Sequence, residues 1–235
     1  MTNAADMGPR NETPSIDPHH LLLIGAGPGV GGAVARRFAA DGYHVTLVAR
    51  GTDGLAKLAG DLAETGAAID TLTADASDPD GLRAVLASAY ASDGAPGLLV
   101  YNASTLAPDT LLASDVAHLH ETYDVDVVSA VVAAQVAAPA MQAGGGGTIL
   151  FTGGGFADYP LPAMATISLG KAALRSAAKI LAADLADDGV RAGTITIAGQ
   201  VAPGTDFDPD RIAQTFWNVV QSEDPWQAEV RFEGK

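Results

Sequence analysis

Short apolar runs alternate with longer stretches rich in Ala and Leu along the chain after residue 18, the pattern of repeated strand–helix units. The apolar runs predict seven strands, at residues 21–25, 44–49, 68–74, 97–101, 148–152, 191–198 and 229–232. Helices are predicted between them, at residues 30–41, 53–65, 79–92, 112–142, 162–187 and 209–221. The run Leu98-Leu99-Val100 is apolar throughout, as expected for a parallel strand buried on both faces. We therefore predict one α/β domain, a doubly wound, mostly parallel, seven-stranded sheet with helices on both faces.

The polar opening of the chain carries no such pattern. Residues 1–18 contain Pro9, Pro14 and Pro18 and lack the basic start and apolar stretch of a signal peptide. We therefore predict that residues 1–18 form a flexible N-terminal tail and that the domain covers residues 19–235.

Composition narrows the range of partners. The net charge of −15 and the pI near 4.4 argue against nucleic acid, whose phosphates would be repelled. No apolar run reaches membrane-spanning length, so no membrane partner is predicted. The chain has no Cys, which is consistent with the cytoplasm. Two adjacent histidines at a strand entrance, His19 and His20, are more often incidental than ligands, so no metal site is predicted.

The first predicted strand runs directly into a glycine-rich turn. Gly27, Gly29 and Gly32 form a G-x-G-x-x-G pattern, while Gly25, Gly29 and Gly31 form G-x-x-x-G-x-G. Such a turn lets the backbone approach a pyrophosphate, and the N-terminus of the following helix supplies N–H donors. The segment therefore predicts a dinucleotide-binding site.

Four later segments extend the second glycine pattern: Asp75-Ala76, Asn102-Ala103-Ser104, Lys171-Ala172-Ala173-Leu174 and Gly199-Gln200-Val201. With them, residues 20–234 resemble the short-chain dehydrogenase/reductase family, which has a Rossmann fold. The resemblance implies an oxidoreductase that binds a nicotinamide cofactor and acts on a small organic molecule. It implies cofactor contacts for Gly25, Gly27, Gly29, Val30, Gly31, Asp75, Ala76, Asn102, Ala103, Lys171 and Val201. In this comparison Asp75 contacts the adenine and Val201 lies at the nicotinamide amide.

The end of the second strand bears on the choice of cofactor. NAD-specific sites commonly hold the ribose with an acidic residue there, but this strand ends at Ala49-Arg50. A guanidinium can pair with a 2′-phosphate, so Arg50 favours NADP(H). The alternative is that Arg50 is a solvated loop cation.

The family's usual chemistry needs four side chains, and the alignment of motifs supplies one of them. The resemblance implies a Tyr that donates a proton, a Ser that binds the carbonyl, a Lys that holds the ribose and an Asn that anchors a water. These fall on Ile167, Gly154, Lys171 and Asp126. Because Ile and Gly have no proton to give, the resemblance implies an atypical active site in which ordinary ketone reduction is impaired. The run Gly153-Gly154-Gly155 is also expected to alter the backbone.

Three residues are candidates for the missing chemistry. Lys171 is retained, Asp126 is expected to pair with it in a buried ion pair, and Tyr159 lies on a loop that follows the fifth strand. Weaker candidates near the expected cleft are Ser104, Thr152, Asp158 and Ser168. His118 and His120 are expected at the surface. The sequence does not choose among the candidates.

Three classes of function therefore stay open. The first is an NADP(H)-dependent oxidoreductase with a non-standard proton donor, the second a non-redox cyclase or isomerase, and the third a non-catalytic NADP-binding protein. The two long helices, with Ala172, Ala173, Ala177, Ala178, Ala182 and Ala183 on one of them, predict a homodimer or homotetramer.

Overall fold

The computed structural model describes residues 16–234, except the side chain of Asp93, and contains a seven-stranded sheet in the order β3-β2-β1-β4-β5-β6-β7. The strands are β1 (Ile16–Ile24), β2 (His44–Ala49), β3 (Ile69–Thr73), β4 (Ala95–Tyr101), β5 (Gly147–Gly154), β6 (Val190–Ile197) and β7 (Glu229–Phe232). Every neighbouring pair is parallel. The predicted doubly wound sheet is confirmed, and it is wholly parallel.

Seven α-helices connect the strands: α1 (Val30–Ala39), α2 (Thr52–Ala63), α3 (Pro79–Asp93), α4 (Val116–Tyr123), α5 (Ser129–Ala143), α6 (Ala165–Asp184) and α7 (Pro209–Gln221). Two apolar cores flank the sheet because alternate residues of each strand point to opposite faces. In β1, Leu21 and Leu23 pack with α1, α2 and α7, whereas Leu22 and Ile24 pack with α3, α5 and α6. This alternation explains why β1 is apolar throughout its second half.

The first strand begins earlier than its apolar pattern predicts. Ile16 pairs with Ala95 and Asp17 with Pro96, so residues 16–18 belong to β1, and the predicted tail boundary at residue 18 is wrong by three residues. The extension is possible because β4 also begins early and Gly97 has no side chain: a Cβ there would lie 2.6 Å from Pro18 Cα. Residues 1–15 of the predicted tail lie outside the described residues.

The helix predicted at residues 112–142 starts at Val116, because the Asp115 side chain accepts a hydrogen bond from His118 N (2.8 Å). A π-helical turn, Asp124–Val128, joins α4 to α5. The whole stretch Val116–Ala143 has 28 residues and a mean hydropathy of 1.4, so it is long and apolar enough to cross a membrane. This corrects the expectation that no apolar stretch of the chain reaches that length. Five of its alanines are buried in the core against the sheet, so it is a core helix: Ala130, Ala133, Ala134, Ala137 and Ala138.

Candidate active site

The glycine turn between β1 and α1 lies at the carboxyl edge of the sheet. Gly25 has φ +85°, and a Cβ there would lie 2.3 Å from Ala103 N. A Cβ on Gly31 would lie 2.7 Å from Gly25 O. At Gly27 and Gly29, by contrast, a Cβ would meet nothing within 4 Å. The turn is therefore packed tightly on its protein side and open on the side that faces the cleft.

The open side carries free donors. The N-cap of α1 is Gly29, which offers no side-chain cap, and the first helical bond runs from Ala33 N to Gly29 O (3.1 Å). The N–H groups of Val30, Gly31 and Gly32 therefore have no acceptor within the helix. Free N–H groups and the positive end of the helix dipole suit an anion, so this turn fits the pyrophosphate of a dinucleotide.

The other predicted cofactor residues lie along the same edge. Arg50 follows β2, is exposed, and has no ion-pair partner among residues 16–234. Asp75 is exposed after β3, and the neighbouring carbonyl of Ala76 accepts a hydrogen bond from Ser129 Oγ (2.7 Å). Val201, beyond β6, is 38% exposed. Strands of a parallel sheet end at one edge, which is why residues so far apart in sequence lie along one cleft.

A chain of hydrogen bonds joins the glycine turn to Lys171. Asn102 Nδ2 donates to Gly25 O (2.9 Å), and Thr152 Oγ1 donates to Asn102 Oδ1 (2.9 Å). Lys171 Nζ donates to the carbonyl oxygen of Thr152 (2.7 Å). The hydroxyl of Thr152 fixes which way the Asn102 amide points, so the turn and the lysine are held in one register.

Lys171 and Asp126 are both buried, and the charge of each influences the ionisation of the other. They form no direct ion pair, so the buried ion pair expected from the sequence is not present. Burial lowers the pKa of Lys171, and the charge of Asp126 opposes that change. Burial raises the pKa of Asp126. Two smaller influences lower it: the N–H of Thr105, which donates to Oδ1 (2.8 Å), and the charge of Lys171. Asp126 Oδ2 is buried with no hydrogen-bond partner among the described residues. A Cβ on Gly170 would lie 2.6 Å from Asp126 Cβ, so this glycine lets the π-helical turn approach α6.

Gly154 and Ile167 stand where the resemblance places a Ser and a Tyr. Gly154 is the last residue of β5, pairs with Ile197 and has extended backbone (φ −155°, ψ 155°). A Cβ there would lie 3.7 Å from Lys171 Cγ, an ordinary contact. Ile167 is 2% exposed within α6. Neither residue offers a side-chain hydrogen bond to a substrate.

The structure does not connect Tyr159 to this cluster. Its backbone N–H donates to Gly155 O (3.0 Å), which turns the loop outward, and the side chain is 74% exposed. Two weaker candidates have structural partners. Asp158 forms ion pairs with Arg175 (2.7 Å) and Arg231, and the hydroxyl of Ser168 donates to Met164 O (2.6 Å).

A model of the short chain dehydrogenase family matches residues 19–208. The chain belongs to the short-chain dehydrogenase/reductase family. It is 26% identical to dehydrogenase/reductase SDR family member 4 of Bos taurus, over 91% of this chain and 72% of that protein. It is 29% identical to the probable galactose dehydrogenase GalD of Rhizobium meliloti, over 80% and 73%. The structure of L-sorbose reductase from Gluconobacter frateurii, complexed with NADPH and L-sorbose, superposes with a TM-score of 0.84 at 25% identity, covering 94% of this chain and 97% of that one.

One polar residue of this family member was missed by sequence reasoning. Asp109 Oδ1 accepts hydrogen bonds from Ala165 N (2.7 Å) and Thr166 N (3.1 Å), at the start of α6. Asp109 Oδ2 accepts from Thr166 Oγ1 and from His118 Nε2 (3.0 Å), so His118, predicted at the surface, is half-buried. Burial favours a raised pKa for Asp109, but these hydrogen bonds prevail and lower the pKa to about 2.

Asp109 therefore caps α6 from a distance and positions the helix that carries Lys171. The residue before this helix, Met164, supplies no side-chain cap. No local pattern marks Asp109 as a cap, because it lies 56 residues before Ala165 in sequence.

Proposed function

We propose that this protein is an NADP(H)-dependent oxidoreductase that acts on a small organic substrate. The observation that carries the proposal is the uncapped glycine turn, joined through Asn102 and Thr152 to the buried Lys171. When bound, the nicotinamide supplies or accepts the hydride. Solved relatives support this cofactor class, since L-sorbose reductase was crystallised with NADPH.

Each part of the dinucleotide has residues suited to it. The N–H groups at the start of α1 bind the pyrophosphate, and Arg50 pairs with the 2′-phosphate, because its guanidinium is exposed and has no carboxylate partner among the described residues. Asp75 and Ala76 would contact the adenine. Asn102, Ala103 and Lys171 would hold the ribose side, and Val201 would contact the nicotinamide amide.

The proton is held by the pair of Lys171 and Asp126. Both side chains are buried, and burial shifts the pKa of each toward the neutral form. The carbon chain of Lys171 passes beside Gly154, where a substrate carbonyl would be bound in the family's usual arrangement. Tyr159 is the less suitable donor because it is exposed and turned outward.

Calorimetry with NADPH and NADH tests the cofactor assignment. NADPH should bind more tightly than NADH. Arg50→Ala should reduce this difference in affinity, since a charge-assisted pair contributes about 1.5–3 kcal/mol. Arg211→Ala is the matched control, because Arg211 is an exposed arginine paired only with Asp206 (3.6 Å). Equal affinities in the parent protein would refute the preference for NADP.

Turnover tests the reaction itself. NADPH oxidation should follow addition of a carbonyl, enoyl or iminium compound. Binding of NADPH without turnover of any such compound would favour one of the alternatives, a cyclase or isomerase that keeps the cofactor or a non-catalytic NADP-binding protein. Ile167 and Gly154, which donate no proton, are the observation that keeps these alternatives open.

We also propose a homodimer or homotetramer. The outer side of α6 exposes Leu169 (50%) and Ile180 (58%), and Leu112 beside it is fully exposed. The predicted alanine face is mixed, since Ala172 and Ala183 are exposed whereas Ala178 is buried in the core. Covering this apolar strip would remove it from water. Light scattering should show an oligomer that Leu169→Asp dissociates, while a monomeric parent protein would contradict the proposal.

The cysteine-free sequence supports a cytoplasmic location, which cell fractionation tests.

A further inference from the structure

A second cavity, of about 510 Å³, opens at the edge of the sheet where the strands begin. Its walls come from the first residues of β1, β4, β5 and β6 and from the last turn of α7. The glycine turn lies at the other edge, where the strands end. The cavity is therefore separate from the cofactor cleft, and the proposed function makes no use of it.

Four glycines, residues 144–147, keep one wall free of side chains. Gly145 has φ +90° and Gly146 has φ +138°, conformations that L residues rarely adopt. A Cβ on Gly144 would lie 2.7 Å from Ile16 Cβ, and one on Gly147 would lie 2.6 Å from Met141 Sδ. The space exists because backbone lines it.

Arg191, at the start of β6, lines this space. Its Nε and Nη2 donate to Thr148 Oγ1 (3.1 and 2.9 Å), and Nη2 also donates to Val220 O (3.1 Å). The guanidinium lies 5.0 Å from the ring of Trp226. Both N–H groups of Nη1 have no partner among residues 16–234. All the acceptors that Arg191 uses are neutral.

Four described cations form no ion pair with a carboxylate, although acidic residues outnumber basic ones by 28 to 13 in the full chain: Arg50, Arg83, Lys171 and Arg191. Seven other cations form ion pairs with carboxylates: Arg36, Arg37, Lys57, Arg175, Lys179, Arg211 and Arg231. The titratable groups that line the cavity are His19, Tyr43 and Arg191. Asp17, which neighbours the lining residues Ile16 and Pro18 in sequence, accepts a hydrogen bond from His19 N (2.9 Å). Among the described residues, therefore, the half-buried positive charge of Arg191 has no carboxylate partner.

We propose that this cavity binds a small organic anion, a carboxylate or a phosphate monoester, through the free Nη1 edge of Arg191. A guanidinium presents paired N–H groups that match the oxygens of such anions. Tyr43 provides a second donor, because its hydroxyl accepts from Gln221 Nε2 (3.1 Å) and keeps its own proton. The bare glycine wall leaves room for the organic part of the molecule.

Calorimetry with benzoate and phenyl phosphate tests the site, with benzyl alcohol as the neutral probe. The protein is first saturated with NADP, so that phosphate binding at the glycine turn does not contribute. We expect one anion to bind with a Kd of about 1 mM or tighter, and the anion that binds more tightly identifies the ligand chemistry. Benzyl alcohol should bind far more weakly.

Two variants and a control locate the binding. Gln221→Glu places a carboxylate in the cavity and keeps a hydrogen bond to Tyr43, now donated by the Tyr43 hydroxyl. Arg191→Lys keeps the charge and removes the paired donors. Each should weaken binding by about tenfold or more. Gln214→Glu makes the same chemical change on an exposed part of α7 and should leave binding unchanged.

Three results would overturn the proposal. They are no binding of either anion up to about 10 mM, equal binding of benzyl alcohol, and equal weakening by Gln214→Glu and Gln221→Glu. Because the cofactor site is filled throughout, none of these results bears on the proposed oxidoreductase activity.

Discussion

Two glycine segments lie at the carboxyl edge of the sheet, and packing restricts them to glycine at some positions but not at others. In the turn after β1, Gly25 and Gly31 are required, since a Cβ on either would collide with backbone at 2.3 or 2.7 Å. At the end of β5, Gly153 is blocked by Thr194 Oγ1 (2.5 Å), but Gly154 has room for a Cβ beside Lys171. Packing requires glycine at positions 25 and 31, whereas Gly154 is a glycine that the fold does not demand.

The difference separates the cofactor half of the site from the catalytic half. The turn is fixed by backbone packing that tolerates few sequences. At Gly154 the strand continues its regular pairing with β6, so the expectation that residues 153–155 alter the backbone is wrong for Gly153 and Gly154. A catalytic side chain can therefore be absent from position 154 without any change in the sheet that would hold it.

The largest expected effect is at the turn itself. Gly25→Ala should destabilise the protein by about 3 kcal/mol or more, because its φ is positive and its Cβ meets backbone. Gly27→Ala should leave the melting temperature nearly unchanged and abolish NADPH binding, because its Cβ points into the open cleft. Thermal unfolding and calorimetry measure the two effects. A destabilised Gly27→Ala protein would break the distinction between the packed and open sides of the turn.

The second effect concerns Asp109, which positions α6 and hence Lys171. Asp109→Asn should cost about 2 kcal/mol at neutral pH, because the carboxylate accepts several hydrogen bonds. Its lowered pKa of about 2, against an ordinary 3.8, means that this stability is present above pH 3.8 and is lost as the pH falls through 2. Urea unfolding at several pH values should show the two proteins converging in acid. Asp206→Asn, at an exposed position, serves as the control, and a constant difference down to pH 2 would contradict the assignment.

A third test removes the lysine. Lys171→Met, which keeps the side chain as far as Cε and removes the ammonium group, should weaken NADP binding by about one to two decades if Lys171 holds the ribose. Saturating cofactor should then restore most of the rate. If the rate stays low and the pH–rate profile loses a limb, Lys171 has a direct part in proton transfer.

The smallest structural effects are expected at β5. Gly154→Ser should change stability by no more than about 0.5 kcal/mol, whereas Gly153→Ser should cost about 1–3 kcal/mol. Equal costs would remove the contrast between required and dispensable glycines.

Gly154→Ser combined with Ile167→Tyr should not gain activity toward simple ketones, because Ile167 is buried and a Tyr would overpack its surroundings. A gain would show that the site kept its geometry when it lost its donors.

Much of the fold was predictable from local patterns. Strands β2–β7 begin and end within two residues of their predicted positions, because apolar runs and glycine turns are local signals. The start of β1 was predicted too late, because it depends on pairing with residues of β4 that lie 77 to 79 positions away in sequence, as in Ile16 with Ala95.

The sequence by itself determined the parallel sheet, the glycine turn and the identity of the residues at positions 154, 167 and 171. Only the tertiary structure decided that Asp126 is buried beside Lys171, that Asp109 caps α6, that Tyr159 turns outward, and that Arg191 has no carboxylate partner among the described residues. The physical reason is one of range. Backbone conformation and apolar periodicity act over a few residues, whereas burial, charge pairing and distant capping depend on which segments the folded chain brings together.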